Sequence, residues 1–269
     1  MNDKVNGIIA LKSQTDNNVW ALSPVDYLSF KARIDAVMND AFTIGEATED
    51  DTTDDQGRFI INVNGVLVRG TGLPQSKCDM LNICELDNLD AQLKAARDNP
   101  DCKAIVMLFN SPGGTVHAHS TALLIQSIAQ KISVIGYADA MCCSAAYQLA
   151  AMCSEFYVSE TAWAGFVGTI YTRADQTQFN SQTGMSYTFI TSSPKKLYLN
   201  PNAKITDDEK EWIGNSVMYY YDMFKADVLS NREIAEEYLD SSIFIGQQAV
   251  DANFADGLIN SVSDLLEIS

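Results

Sequence analysis

The sequence predicts an α/β chain built on a mostly parallel sheet with helices on both faces. Two observations carry this. Short, continuously apolar runs such as KAIVMLFN (103–110) and SVIGYA (133–138) have the character of strands buried on both sides. Segments of helical periodicity separate these runs along the chain, the pattern of parallel strands joined by crossover helices.

Taken in order, residues 25–41 (VDYLSFKARIDAVMNDA) place apolar residues at helical spacing, while 45–57 (GEATEDDTTDDQG) is acidic, polar and aperiodic. The first predicts a helix within an N-terminal segment, 1–44. The second predicts an exposed linker or loop ahead of a main domain over 58–269. Within that domain RFIINVNGVLV (58–68) reads as a strand pair or bent strand, and 83–99 as an amphipathic helix. A buried strand over 103–110 leads to a helix opened by glycines, 114–131. A strand over 133–138 leads to a helix over 144–153. EFYVS (155–159) and SYTFIT (186–191) read as further strands. The long helix predicted over 206–232 has Thr206 as its cap, with Asp207, Asp208 and Glu209 in its first turn, where negative charge suits the helix dipole. A last short helix starts near Gly246.

Bulk properties narrow the function classes. The 269 residues are 46 % hydrophobic, enough for a full core, and 18 basic against 35 acidic residues give a net charge of −17. Such a surface repels phosphate backbones, which argues against nucleic-acid binding. Cys78, Cys84, Cys102, Cys142, Cys143 and Cys153 form no C-x-x-C pair. They read as reduced thiols in a cytosolic protein, and no metal site or cofactor is implied. The N-terminus lacks the basic start and long apolar region of a secretory signal. No window approaches the roughly 18 apolar residues of a membrane span. The expectation is a soluble, cytoplasmic protein.

Two strand-to-helix junctions are able to carry chemistry. In FNSPGGTVHAHS (109–120) a buried strand ends and Gly113 and Gly114 lead toward a helix. Glycines there let backbone N–H groups approach a phosphate or an oxyanion, although an ordinary turn would read the same. Thirty residues on, Ser144 begins a helix within MCCSAAYQLAA (141–151). It is either an N-cap or a nucleophile, with neighbouring amides ready for developing negative charge.

A serine nucleophile needs a base. The two histidines, His117 and His119, both precede Ser144 and fall on different faces of a helix. Lys195 and Lys196, in ITSSPKKLYLNP (190–201), are the other source. A free lysine titrates near ~10.4, so this role calls for at least partial burial. A solvated surface pair is the competing reading.

The ordered set NSPGG, S-A-A-Y, a G-x-x-G turn, lysine, N-P and a T-x-x-E helix resembles the signal peptide peptidase (protease IV) family of serine peptidases, within the Clp protease–crotonase superfamily. The likeness runs from about residue 59 to 260 and closes on IFIGQQAVDANFADGLIN. It implies Ser144 as nucleophile and Lys196 as general base, with Lys195 a spacer. It also implies an oxyanion hole from Gly114 or Gly113 with the amide of Ala145.

The chain departs from the family pattern in three places. S-A-A-Y replaces S-G-G-Y, Asn253 stands where glycine is usual, and the G-S-I-G turn is here GFVG (165–168). Phe166 therefore cannot supply the hydroxyl that orients the lysine, and Thr169 is the nearby substitute. The absent anchor helix and the N-x-W-A-L-S-P segment (18–24) resemble the phage head-maturation branch. That branch implies scaffold and capsid proteins as substrates, a ring-like homo-oligomer, and a place in the host cytoplasm or the procapsid. The rival readings are a soluble host peptidase of the same family, a crotonase-type acyl-CoA enzyme, and a non-catalytic structural member.

Overall fold

The computed structural model describes residues 19–21, 30, 31, 34 and 53–268. The rest of the helix expected over 25–41, and the acidic stretch 45–52, lie outside the described residues. Residues 30, 31 and 34 are helical, and Phe30 and Ile34 are buried against Val66, Val68, Leu73 and Ile83.

The strands are β1 (Val19–Ala21), β2 (Arg58–Asn64), β3 (Val66–Val68), β4 (Ile83–Glu85), β5 (Ala104–Ser111), β6 (Gly114–Thr115), β7 (Ser133–Cys143), β8 (Glu155–Val158), β9 (Trp163–Gly165), β10 (Ile170–Tyr171), β11 (Ile243–Ile245) and β12 (Gly257–Leu258). The helices are α1 (Gln75–Leu81), α2 (Leu86–Asp98), α3 (His119–Ala129), α4 (Ala145–Ala150), α5 (Thr177–Gln182), α6 (Asp207–Asn231), α7 (Gln247–Asp251) and α8 (Val262–Ile268).

The larger sheet has seven strands, with β11-β9-β7-β5-β2 as its main path and β8 and β12 branching from β7. All its pairings are parallel except β11 on β9, as the alternating pattern predicts. One face is covered by α2, α3, α4 and α6, through residues such as Leu89, Ile125, Leu149 and Phe224. On the other face Val106, Ile135 and Tyr137 pack with Ile259 and with Leu265 of α8. The smaller sheet runs β10-β1-β6-β3-β4.

The bent strand of 58–68 is two strands in two sheets, and Gly65 makes the corner. Its φ is +79°, and a Cβ there would lie 2.0 Å from the Asn82 carbonyl oxygen, so only glycine fits. The strand expected over 133–138 continues to Cys143. Its first half pairs with β8 and its second half with β9, and this extension delivers Ser144 to the sheet's end. The helix after the glycines begins only at His119, because Gly114–Thr115 form β6 and Val116–Ala118 a 3₁₀ turn.

One expected strand is absent: residues 186–191 have no regular structure. Tyr187, Phe189 and Ile190 are exposed there, Ile190 by 95 %, and find no strand partner among the described residues. The long helix forms as expected: Thr206 Oγ1 accepts the Glu209 amide at 3.2 Å, satisfying one of the free N–H groups at the helix start.

All six cysteines are buried, and none forms a disulfide. Burial pushes the thiols of Cys78, Cys84 and Cys153 up to about 12 and Cys142 well above its ordinary value, so these four pack as inert apolar groups. No helix among the described residues is long and apolar enough to cross a membrane.

Candidate active site

Ser144 sits where β7 ends and α4 begins. Its backbone has φ 56° and ψ −127°, a region that L-residues avoid and that costs on the order of 1–3 kcal/mol. The conformation is held from both sides. The Ser144 amide donates to the Gly165 carbonyl at 2.7 Å, and its carbonyl accepts from Gln148 N at 3.0 Å.

Position alone makes Ser144 the N-cap of α4, but its side chain caps nothing. The residue is 1 % exposed, and Oγ has no hydrogen-bond partner among the described residues. A buried hydroxyl left unpaired costs about 1–3 kcal/mol. Helix capping, the competing reading of the sequence, is therefore not what this side chain does.

The glycine junction lies alongside. β5 pairs with β7 through Ser111 and Cys142 after a register shift that begins at Phe109, which brings the two strand ends together. Ser111 is fully buried. Its hydroxyl donates to the Gly65 carbonyl at 2.6 Å and accepts the Gly113 amide at 3.2 Å. The Gly113 N–H is thus already engaged, and Gly114 pairs in turn with Leu67 and Ala21 through β6.

Gly114 is required by close approach, because a Cβ there would lie 2.1 Å from the Leu67 carbonyl oxygen. Gly114→Ala is expected to force β3 and β6 apart and destabilise the fold by about 1–3 kcal/mol, measured by urea denaturation. Ala145 is the first residue of α4, and its amide has no carbonyl acceptor within the helix.

The GFVG turn adjoins the serine through Gly165. Phe166 has φ 58°, and its amide donates to the Ser242 carbonyl at 2.8 Å. Thr169 Oγ1 donates to the Val217 carbonyl of α6 at 2.8 Å, which leaves its lone pairs to accept a hydrogen bond. Sequence reasoning missed Ser111, although it stands inside NSPGG, and Ser241. The Ser241 Oγ would lie 2.1 Å from a Cβ on Gly168, and no local pattern marks it.

Lys196 lies on a 3₁₀ turn, Pro194–Leu197, that Ser193 caps by accepting the Lys195 amide at 3.3 Å. The turn is tied to α6 through the Leu199 amide, which donates to Glu209 Oε1 at 2.8 Å. Both lysines are exposed in the single chain. The partial burial expected from their apolar neighbours is not present, and Tyr187, Phe189 and Ile190 are themselves exposed. No hydrogen bond joins Lys196 to Ser144.

The histidines take no part at the serine either. His117 is exposed. His119 Nδ1 lies 2.7 Å from Asp227 Oδ2, which also accepts from Gln148 Nε2 at 2.6 Å. This trio clamps α3, α4 and α6 together around a buried carboxylate, a packing role that the sequence does not advertise.

The model of peptidase family S49 matches residues 126–267, more than half of the chain. The chain belongs to peptidase family S49. The matched stretch includes Ser144, the GFVG turn and Lys196, while Gly113 and Gly114 precede it. The Clp protease/crotonase-like architecture of this family agrees with the parallel sheet described above.

Among relatives, the chain is 27 % identical over 252 residues to capsid assembly protease C of Escherichia phage lambda, covering 87 % of this chain and 57 % of that protein. It is 24 % identical over 216 residues to the head-tail preconnector protein GP5 of Enterobacteria phage P21, covering 79 % and 42 %. It is also 24 % identical over 258 residues to protease 4 of Salmonella typhi, covering 94 % and 37 %. The chain thus spans between 37 % and 57 % of the length of these relatives.

Proposed function

We propose that this chain is a serine endopeptidase in which Ser144 attacks the substrate carbonyl and Lys196 is the general base. One observation carries the reading: a buried hydroxyl with no hydrogen-bond partner among the described residues, on a strained backbone, at a helix start where it caps nothing. The serine Oγ forms a bond to the carbonyl carbon as its proton passes to the lysine Nζ. The amides of Gly114 and Ala145 receive the oxyanion. The C–N bond then breaks, the lysine returns the proton to the leaving amine, and water hydrolyses the acyl-enzyme by the same route. Thr169 is suited to orient the amine.

Similarity to proteins named for capsid assembly and the head-tail preconnector supports scaffold and capsid proteins as substrates, acting in the host cytoplasm or procapsid. The test is co-expression with the neighbouring head proteins, followed by intact-mass spectrometry. Discrete cleavage that stops with Ser144→Ala is expected. Cleavage that persists in Ser144→Ala would overturn the assignment, as would acyl-CoA turnover that survives it.

A base at Lys196 needs a desolvated amine, which supports a ring-like oligomer whose neighbouring copy covers the 194–197 turn. Exposed apolar residues on the adjoining segment favour such a contact: Phe179 (64 %), Met185, Tyr187, Phe189 and Ile190, with Trp212 and Tyr219 of α6. Large apolar side chains grouped at a surface mark association sites. Ile190→Asp combined with Phe179→Asp is expected to yield a folded monomer without hydrolytic activity, read by sedimentation and a peptide assay. A fully active monomer would contradict the shared site.

A further inference from the structure

Strand β1 has no part in the mechanism above, yet it lies against the proposed site on both edges. Toward β6 it pairs antiparallel, Trp20 opposite Thr115 and Ala21 opposite Gly114. Toward β10 it also pairs antiparallel, Val19 opposite Tyr171 and Trp20 opposite Ile170. Both neighbours belong to the site. β6 begins at the glycine assigned to the oxyanion, and β10 starts just after the turn whose Gly165 carbonyl anchors the Ser144 amide. Three residues of the N-terminal segment thus bridge the two sides of the catalytic junction.

Without β1, β6 and β10 would stand about two strand spacings apart, roughly 10 Å, each with unpaired main-chain groups. Such a slot accepts one extended peptide by completing the sheet on both edges. The polarity of β1 is also that of a substrate. Its chain runs antiparallel to β6 and ends, at Ala21, opposite Gly114. The residues before Ala21 therefore lie where the acyl side of a peptide would lie if its carbonyl faced that amide.

We propose that residues 19–21 occupy the slot for the substrate peptide, so that the chain's own N-terminal segment competes with substrate for the site. The word substrate rests on the peptidase reading; the occupancy itself does not. A tethered strand is present at an effective concentration on the order of millimolar, so a free peptide must displace it.

The test uses the full-length Ser144→Ala chain with and without Trp20→Pro, which removes an amide donor from the middle of β1. Hydrogen exchange is followed at residues 113–116 and 169–172, with β5 and β7 as the folding control. Trp20→Pro is expected to speed exchange at both segments by about tenfold or more with β5 and β7 unchanged. Adding a millimolar peptide of the sequence NNVWALSP is expected to restore protection at both. If Trp20→Pro disturbs β5 and β7, Ala21→Pro is read in the same way.

Unchanged exchange at the two segments, or a peptide that protects neither, would overturn the proposal. In the chain with Ser144 intact, Trp20→Pro is expected to lower KM for a peptide substrate about tenfold with kcat unchanged. An unaltered KM would count against competition. Absence of hydrolysis in both chains would instead sink the peptidase reading, leaving the exchange result to decide occupancy.

Discussion

Ser144→Gly is expected to abolish peptide hydrolysis and at the same time make the protein more stable. The loss follows from removing the proposed nucleophile, which in a serine peptidase costs roughly 10⁴-fold or more in kcat. The gain has two sources. Glycine adopts φ 56° without the steric cost that serine bears there. The substitution also removes a buried hydroxyl that has no partner among the described residues, worth about 1–3 kcal/mol. Against these stands the greater backbone entropy of glycine in the unfolded chain, about 0.5–1 kcal/mol. The net expectation is stabilisation by about 1–3 kcal/mol, read as a raised urea midpoint with unchanged slope. Ser144→Ala loses hydrolysis equally but gains less, because alanine keeps the strained φ. A fall in stability for both variants would mean that the hydroxyl holds the fold together and would remove the main reason to call it a nucleophile.

Lys196→Ala is expected to reduce kcat by on the order of 10²–10⁴-fold, the usual contribution of a general base, with little change in stability because the side chain is exposed in the single chain. Lys196→Arg should be as inactive, since a guanidinium keeps the charge but does not give up its proton. Lys195→Ala should hydrolyse peptides nearly as well as the parent. These three variants separate base catalysis from electrostatic attraction. If arginine rescues Lys196→Ala, the lysine acts as a charge; if Lys195→Ala is the inactive variant, the neighbouring residue holds the role. Near-parental activity in Lys196→Ala would rule out the dyad.

Much of the scaffold could be read from residue patterns because its determinants are local. Thr206 followed by three acidic residues marks the start of α6, and the cap forms as written. The apolar runs at 103–110 and 133–138 supply most of β5 and the first half of β7, the two central strands. What escaped was set by tertiary context. β1, β6 and β10 contain two or three residues each, too few for any periodicity, and are strands only through their place in the β10-β1-β6-β3 pairing. The continuation of β7 through Asp139 and Ala140 breaks the apolar run, and depends on β9 taking over from β8 as partner. The apolar spacing of 186–191 reads as a strand, but Tyr187, Phe189 and Ile190 stay exposed and find no strand partner among the described residues.

The candidate site divides in the same way. The glycines and the serine announce themselves by residue type at strand ends. The positive φ of Ser144 does not, since serine there carries no conformational signature of its own. Nor does the engagement of the Gly113 amide by Ser111. The clamp of His119, Gln148 and Asp227 joins residues 108 and 79 positions apart, and only the packed helices bring them into register.

The most direct measurement is covalent labelling with a fluorophosphonate, followed by intact-mass analysis and peptide mapping of the full-length chain and its Lys196→Ala variant. The account predicts a single adduct on Ser144, forming at least about a hundredfold more slowly in Lys196→Ala. An unmodified Ser144 in the parent chain, or equal rates of modification in the two, would contradict it.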